Sequence, residues 1–525
     1  MRFHLRKNLI CRLSAGLLAL LLAGCAGTVA SPGRHPEGSL PGVTGNTAAP
    51  PRSDLPRRDL VFYLPGNVQK DQLLVNGAIN DRLLEKINCT VSIQVVDWNL
   101  WTSKYPILLS SGEQVDLIFT ASFFGYQQEV SKNTFLPLDD LMAKYGQEIP
   151  GAMLDGYLEA ARVQGKLYGI PVNKDTGQGW GIVANKEMAQ EIGTDLGGVV
   201  DLEDLGAVLH RAKEKLARGV IPLFLSNDLS MAQITGSTKA SGEIGFRDRS
   251  RFVQLEDAIY YDNLNRKSMP VYRIPEFVEQ CRLVRQWFLE GLINTDVTTT
   301  QVTAREAMQQ GKAFIHVQAQ SPIHQIQWEN ETGRKLISVS FIPGVKETQS
   351  MTGALTALPV GCTDPARAMM VISQFMTDAN LKNLFTWGIE GRHYVKVKDN
   401  VIKLPEGVKS TADNGYNPGN FWLFGNAYLL DVWDNEPPNK WNLLRVYCDT
   451  MPKSPLLGFA YDSTLVKLEA ADHANVMKEL FPMMINGVLD TDSVLVRIEL
   501  RDKAAGVDRI CAEIDRQVAA WKAGK

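Results

Sequence analysis

The chain has 525 residues, 45% hydrophobic and 22% charged, with 55 Lys and Arg against 58 Asp and Glu for a formal net charge of -3. An isoelectric point of about 6.2 leaves no long-range field to hold polyanions, which argues against nucleic-acid binding as the main activity. A mean hydropathy of -0.12 argues against a multi-span membrane protein, the globular composition argues against general disorder, and the length suits roughly two to four domains or two large lobes.

Arg2, Arg6, Lys7 and Arg12 open the chain as a basic stretch, and Leu13 to Ala23 is apolar except for Ser14 and Gly16. Such a run is too short to cross a bilayer as a helix, which takes about 20 residues, so it reads as an export signal. It ends Leu22-Ala23-Gly24-Cys25, which resembles the bacterial lipobox. That resemblance implies a lipoprotein signal peptide over 1–24 and acyl chains, palmitate among them, on Cys25, each buried methylene adding roughly 0.8 kcal/mol of membrane affinity. From Ala26 to Asp59, 11 of 34 residues are Pro or Gly, a composition that cannot bury enough surface to order itself. Residues 25–57 therefore read as a lipid-anchored flexible linker with a reach on the order of 30 Å.

Cys11 leaves with the signal, so the body keeps Cys89, Cys281, Cys362, Cys448 and Cys511. They are odd in number and far apart, with no CxxC pair and no zinc-ligand spacing, and are expected as free thiols packed like small hydrophobes. No metal and no cofactor is expected.

Folded sequence begins near Arg58. Leu60 to Leu64 is an apolar run closed by Pro65-Gly66, as in a buried strand and its turn. Ile79, Leu83, Leu84 and Ile87 recur at helical spacing, Val91 to Val96 is a second strand, Lys104 to Ser110 a helix, and Val115 to Phe119 a third strand. This β-α-β-α-β order predicts a parallel sheet with covering helices, with ligand loops at the carboxyl ends of the strands: Pro65 to Lys70, Asp97 to Trp101 and Thr120 to Tyr126. A second α/β region follows, with strands at Trp180 to Asn185, Ile221 to Leu225, Ala313 to Val317 and Leu336 to Ile342, and helices at Asp201 to Ala217 and Pro275 to Glu290. Ala354 to Val360 reads as a strand and Pro365 to Met376 as a helix. The tail is helical, with Val507, Ile510, Ile514, Val518 and Trp521 on one apolar stripe.

The sequence contains no HExxH, no GxSxG, no Walker P-loop and no SxxK set with its partners. Gly177-Gln178-Gly179-Trp180-Gly181 lacks phosphate-loop spacing and reads as a flexible turn. His316 and His324 read as a strand and a loop histidine that do not converge on a metal. Asp139 and Asp140 suit the start of a helix. What stands out is aromatic placement: Trp98 and Trp101 after the second strand, Phe123, Phe124 and Tyr126 after the third, Trp180 at the start of the second region, with Trp387, Phe421, Trp422, Trp433 and Trp441 later. Such faces can lie against sugar rings while amides and carboxylates take the hydroxyls. Trp287, beside Val284 and Phe288 on a helix face, is core.

Val115 to Tyr126 (VDLIFTASFFGY) and Phe135 to Leu141 (FLPLDDL) resemble the third strand, ligand loop and following segment of bacterial extracellular solute-binding proteins of the carbohydrate-type family 1, which includes maltose-binding protein. Gly165 to Pro171 (GKLYGIP) is similar to that family's inter-lobe crossing, Asn185-Lys186 to its strand-to-helix turn, and Gly311 to Phe314 (GKAF) to a strand entering another site loop. Leu64 to Asp71 (LPGNVQKD), Trp387 to Tyr394 (WGIEGRHY) and the stretch from Gly458 through Gly487 to Asp490 (GVLD) to Trp521 resemble a lipoprotein subgroup with a C-terminal domain of unknown function. The resemblance implies an α/β, two-lobed, periplasmic-binding-protein-like (type II) clam-shell with a mostly helical C-terminal extension. It places lobe 1 at 58–170, lobe 2 at 171–352, a return to lobe 1 at 353–388 and the extension at 389–525. It further implies a non-enzymatic, monomeric lipoprotein on the extracytoplasmic face of the cell membrane, capturing a small polar solute, foremost an oligosaccharide, for the transmembrane permease subunits of an ABC importer. The ligand contacts carried over are Ser122, Phe123, Phe124, Trp180, Gln318, Gln320, Trp387 and Glu390, to which the aromatic placement after the second strand adds Trp98. Ligand sensing for a membrane signalling partner, and peptide binding, stay open beside it.

Overall fold

The computed structural model describes residues 54–226, 230–235, 251–411 and 413–524, with Ser230 as backbone only. The signal, Cys25 and nearly all of the linker lie outside the described residues.

Two separate sheets organise the chain. The first has the order β2-β1-β3-β12-β4, comprising β1 (Arg58–Pro65), β2 (Cys89–Val96), β3 (Leu117–Thr120), β4 (Gly169–Pro171) and β12 (Leu355–Ala357). β1 runs parallel to β2, with Leu60 opposite Val91, and parallel to β3, with Phe62 opposite Leu117. β12 is antiparallel to both β3 and β4. The helix α1 (Gln72–Ile87) covers this sheet because Val75, Ile79, Leu83 and Ile87 share one face and are buried; Asn88 in the left-handed region ends it. Buried Asp116 joins the strands to the return segment, accepting from the Val61 amide at 2.8 Å and from the Thr363 amide at 2.8 Å.

Asp97 to Trp101, expected as a loop, is instead the first turn of α2 (Trp98–Ser110), because the Asp97 carboxylate accepts from the Asn99 amide at 2.8 Å and caps the helix. Trp101 is consequently core, fully buried.

The second sheet has the order β11-β5-β10-β6, comprising β5 (Gly179–Asn185), β6 (Ile221–Leu223), β10 (Ala313–Gln320) and β11 (Leu336–Ile342). β5 lies antiparallel between β10 and β11, and β6 runs parallel to β10. Its core is closed by α3 (Leu202–Lys215), capped by Asp201, and by α4 (Pro275–Leu289), which buries Val284 and Trp287. The glycine run is not a flexible turn. Gly179 and Gly181 are strand residues, and a Cβ on Gly181 would fall 1.9 Å from the Val339 carbonyl oxygen, so glycine is there because β11 approaches too closely for any side chain. His316 is on a strand as expected, whereas His324 sits within α5 (Pro322–Thr332), which Pro322 starts at a position where no helical amide partner is needed. Burial holds its imidazole below the ordinary histidine range.

A third, antiparallel sheet, β7 (Phe252–Glu256), β8 (Ile259–Asp262) and β9 (Lys267–Pro270), projects from the second lobe. Residues after 388 divide their packing. Tyr416, Leu423 and Phe424 join the first lobe's core, beside α6 (Pro365–Thr377) and α7 (Ala379–Trp387). Trp441, Leu444 and Cys448 of α8 (Lys440–Thr450) pack with Leu154, Tyr157 and Met351. The tail helices α9 (Lys467–Ile485), α10 (Thr491–Ala505) and α11 (Val507–Ala523) close over the third sheet and over α4. The stripe on α11 is buried at Val507, Ile510, Ile514 and Val518, with Trp521 half-buried against Phe459.

Cys89, Cys362, Cys448 and Cys511 are free thiols, and of the five described cysteines only Cys362 is half-buried rather than buried. Among the described residues no helix is long and apolar enough to cross a membrane.

Candidate ligand-binding cleft

β3 ends at Thr120, and the chain then makes a short 3-10 turn over Ser122–Phe124, closed by Gly125 at φ 78°. Two interactions fix the turn against the chain just before the return segment: the Ser122 amide donates to the Thr352 carbonyl at 2.9 Å and its hydroxyl to the Gln349 carbonyl at 3.4 Å. The turn sorts its two phenylalanines. Phe124 packs inward against Trp101, Phe119 and Tyr105, while Phe123 stays 58% exposed. Opposite, Trp180 stands half-buried on β5 between its two glycines, which draw β11 tight behind it. The Tyr447 hydroxyl from α8 bonds this strand start, accepting from the Gly179 amide at 3.0 Å and donating to the Gln320 carbonyl at 2.9 Å.

These elements border a cavity of about 580 Å³, the size of small-molecule sites. Ser122, Phe123, Gln127 and Gln128 face it from the first lobe, and Gln178, Trp180 and Gln233 from the second. Thr348 to Ser350 floor it near the crossing segments. Gln254, Glu256 and Asp257 on the third sheet and Leu456, Phe459 and Tyr461 beyond α8 complete the wall. The Oε1 of Gln128 and the hydroxyl of Tyr461 are buried without a hydrogen-bond partner among the described residues, the state expected of groups placed for a polar ligand. Burial, reinforced by neighbouring Asp257, raises the Glu256 carboxyl above the usual range. Among the described residues no group of His, Cys, Asp or Glu side chains could hold a metal ion.

Of the residues expected to touch ligand, the structure thus brings Ser122, Phe123 and Trp180 together. Phe124 lies behind Phe123. Gln320 is buried, its amide donating to the Ile182 and Gln318 carbonyls at 3.2 Å, and Gln318 is half-buried outside the cavity lining, its Oε1 unpartnered among the described residues. Trp98 stacks on Trp422 at 5.8 Å, away from the cavity, because residues 416–424 fold back onto the first lobe and occupy its indole face. Trp387 donates from Nε1 to the Asp431 carbonyl at 3.1 Å and packs edge-on against Trp433. Glu390 is exposed next to it. The glutamines and the third sheet were missed: Gln127-Gln128 directly after the Phe pair was a local signal, but nothing local marked Gln254 or Tyr461.

Two α/β lobes on separate sheets, joined by crossing segments around a polar and aromatic cavity, make this a two-lobed solute-binding protein fold. Residues 455–523 match a family model described as a domain of unknown function (DUF3502). A carbohydrate ABC transporter substrate-binding protein of Streptococcus pneumoniae serotype 4 is 24% identical over 454 residues, covering 85% of this chain and 87% of that protein. The crystal structure of the N-glycan transport solute binding protein NgtS of Streptococcus pneumoniae is 21% identical, with a TM-score of 0.75 over 88% of this chain and 98% of the other. The same protein in complex with Man5GlcNAc gives a TM-score of 0.65 at 21% identity, over 89% and 99%.

Proposed function

We propose that this protein is the substrate-binding component of an ABC importer, capturing an oligosaccharide between its lobes and presenting it to a membrane permease. The observation that carries this reading is the cavity itself, where the exposed faces of Phe123 and Trp180 meet a ring of glutamine amides. Apolar faces suit the CH-rich sides of sugar rings, and amides, as both donors and acceptors, suit their hydroxyls. The likeness to a carbohydrate ABC transporter substrate-binding protein over most of both chains supports the same assignment.

Closure moves 171–352 against 58–170 and 353–388, and ligand favours the closed arrangement because only there do both sides contact it. The protein acts as a monomer without turnover. It is held on the extracytoplasmic face by lipid on Cys25, the linker giving the body freedom to meet its permease.

Titration calorimetry of the soluble chain against Man5GlcNAc, maltooligosaccharides, alginate oligosaccharides and short peptides tests the ligand class. Binding to a glycan with no product formed is the expected result. Saturable binding to peptides alone would overturn it. Mass spectrometry of the membrane fraction tests the anchor, which Cys25→Ser should abolish.

A further inference from the structure

The region matched to a domain of unknown function stands against the ligand cavity. Its leading segment contributes Leu456, Phe459, Ala460 and Tyr461 to the lining. That segment is fastened from both ends: the Gly458 amide donates to Thr348 Oγ1 at 2.9 Å, and Phe459 meets Trp521 of α11 edge-on at 5.7 Å.

The same helices grip the third sheet, whose first strand and turn carry Gln254, Glu256 and Asp257 to the cavity. Val253, Ile259 and Tyr261 pack with Val507, Ile510, Ile514 and Val518. Phe252, Ala258 and Tyr272 pack with Val476, Met477 and Leu480. The Ser268 amide donates to Asp515 at 2.7 Å. At the turn, Ala258 takes a left-handed φ of 51°, a conformation that costs a non-glycine residue energy and persists only where neighbours enforce it. Two groups hold the turn: the Val271 amide donates to the Ala258 carbonyl at 2.7 Å, and His473 of α9, fully buried, sets Nε2 2.6 Å from the Asp257 carbonyl and Nδ1 2.6 Å from Asp502. A carbonyl only accepts, so Nε2 carries the proton toward Asp257. The second Asp502 oxygen accepts from the Tyr272 hydroxyl, which fixes the carboxylate in turn.

We infer that residues 455–523 are a wall of the binding cleft: the segment Leu456 to Tyr461 faces the ligand directly, and His473 is a positioning residue that holds the Asp257–Ala258 turn so that the third sheet presents its polar groups. The identity of the probe rests on the proposed function, whereas the positioning role does not.

Two full-length variants test this. Ala460→Trp places an indole on the cavity face of a half-buried position, and His473→Gln exchanges the imidazole for a flexible amide that cannot hold Asp502 and the Asp257 carbonyl at once. Ala460→Trp should weaken Man5GlcNAc binding at least tenfold in calorimetry at an unchanged melting temperature. His473→Gln should speed amide hydrogen exchange over 252–262 at least tenfold in the absence of ligand, leave exchange in β1–β3 as in the wild type, and weaken the same binding. Wild-type affinity in Ala460→Trp, or unchanged exchange over 252–262 in a folded His473→Gln, overturns the inference. Should His473→Gln not fold, Tyr272→Phe, which releases only one side of Asp502, carries the exchange measurement. If the wild type binds no glycan, the proposed ligand class falls, and unchanged exchange over 252–262 in His473→Gln still overturns the positioning role.

Discussion

Lys382 lies on α7 with no exposed surface, its ammonium donating to the Phe421 and Phe424 carbonyls at 2.8 and 2.6 Å and facing the Phe385 ring at 5.5 Å. Two carbonyls and a ring do not replace the water a cation loses, and burial pushes its pKa from 10.5 down to about 7. A group whose folded pKa is depressed in this way binds fewer protons when folded. Stability therefore rises with pH from about 7 to 10.5, and the penalty is fully present below 7. At roughly 1.4 kcal/mol per pH unit, the whole window amounts to about 5 kcal/mol. Replacing Lys382 with Met removes this dependence but leaves two carbonyls unpaired, at about 1–3 kcal/mol each. Urea unfolding of both proteins at intervals from pH 6 to 9.5 should show the difference in stability swinging toward the wild type as pH rises, by more than 2 kcal/mol over the range. Other titrating groups cancel in the difference. Parallel stability curves for the two proteins would refute the reasoning, since they would mean that Lys382 is charged in the folded state throughout.

Trp180→Ala should lower glycan affinity by about thirtyfold, or roughly 2 kcal/mol, with little change in melting temperature, read by calorimetry and differential scanning fluorimetry. Gly181→Ala should cost at least about 1–3 kcal/mol of unfolding free energy, the range for overpacking, because the obstructing atom is backbone and cannot swing aside; a stability within 0.5 kcal/mol of wild type, roughly the spread of neutral surface changes, would contradict the close approach of β5 and β11. Burial pushes the thiols of Cys89, Cys362 and Cys511 up to about 12, so a disulfide-exchange reagent at pH 8 should modify them slowly in the native protein and rapidly in denaturant, and the melting temperature should be indifferent to reductant.

Much of the first lobe was legible because its information is local. The apolar runs and the Ile79, Leu83, Leu84, Ile87 spacing needed only the periods of strand and helix, and Phe123 was reached from the rule that ligands meet the carboxyl ends of strands, Trp180 from the family resemblance. Failures came where a residue's fate depends on a distant partner. Trp98 has the composition of a ligand platform, yet Trp422 covers it, and nothing near Trp98 announces that. The run Gly177 to Gly181 looked like slack chain, because the carbonyl that forbids a side chain at Gly181 belongs to Val339. Likewise the third sheet became part of the site through helices more than 200 residues further on.

The order in which the chain visits its lobes also decides what each end reports. Arg58 opens an inner strand of the first sheet, whereas α11 rides on the third sheet, and the Gly487 carbonyl between α9 and α10 is bonded by Arg285 of α4 at 2.8 Å. The two extremities of the folded body are therefore mounted on opposite jaws. A donor dye placed before Arg58 and an acceptor placed after α11 would form a ruler across the mouth of the molecule, and solute uptake would register as a change in energy transfer with no label inside the cavity.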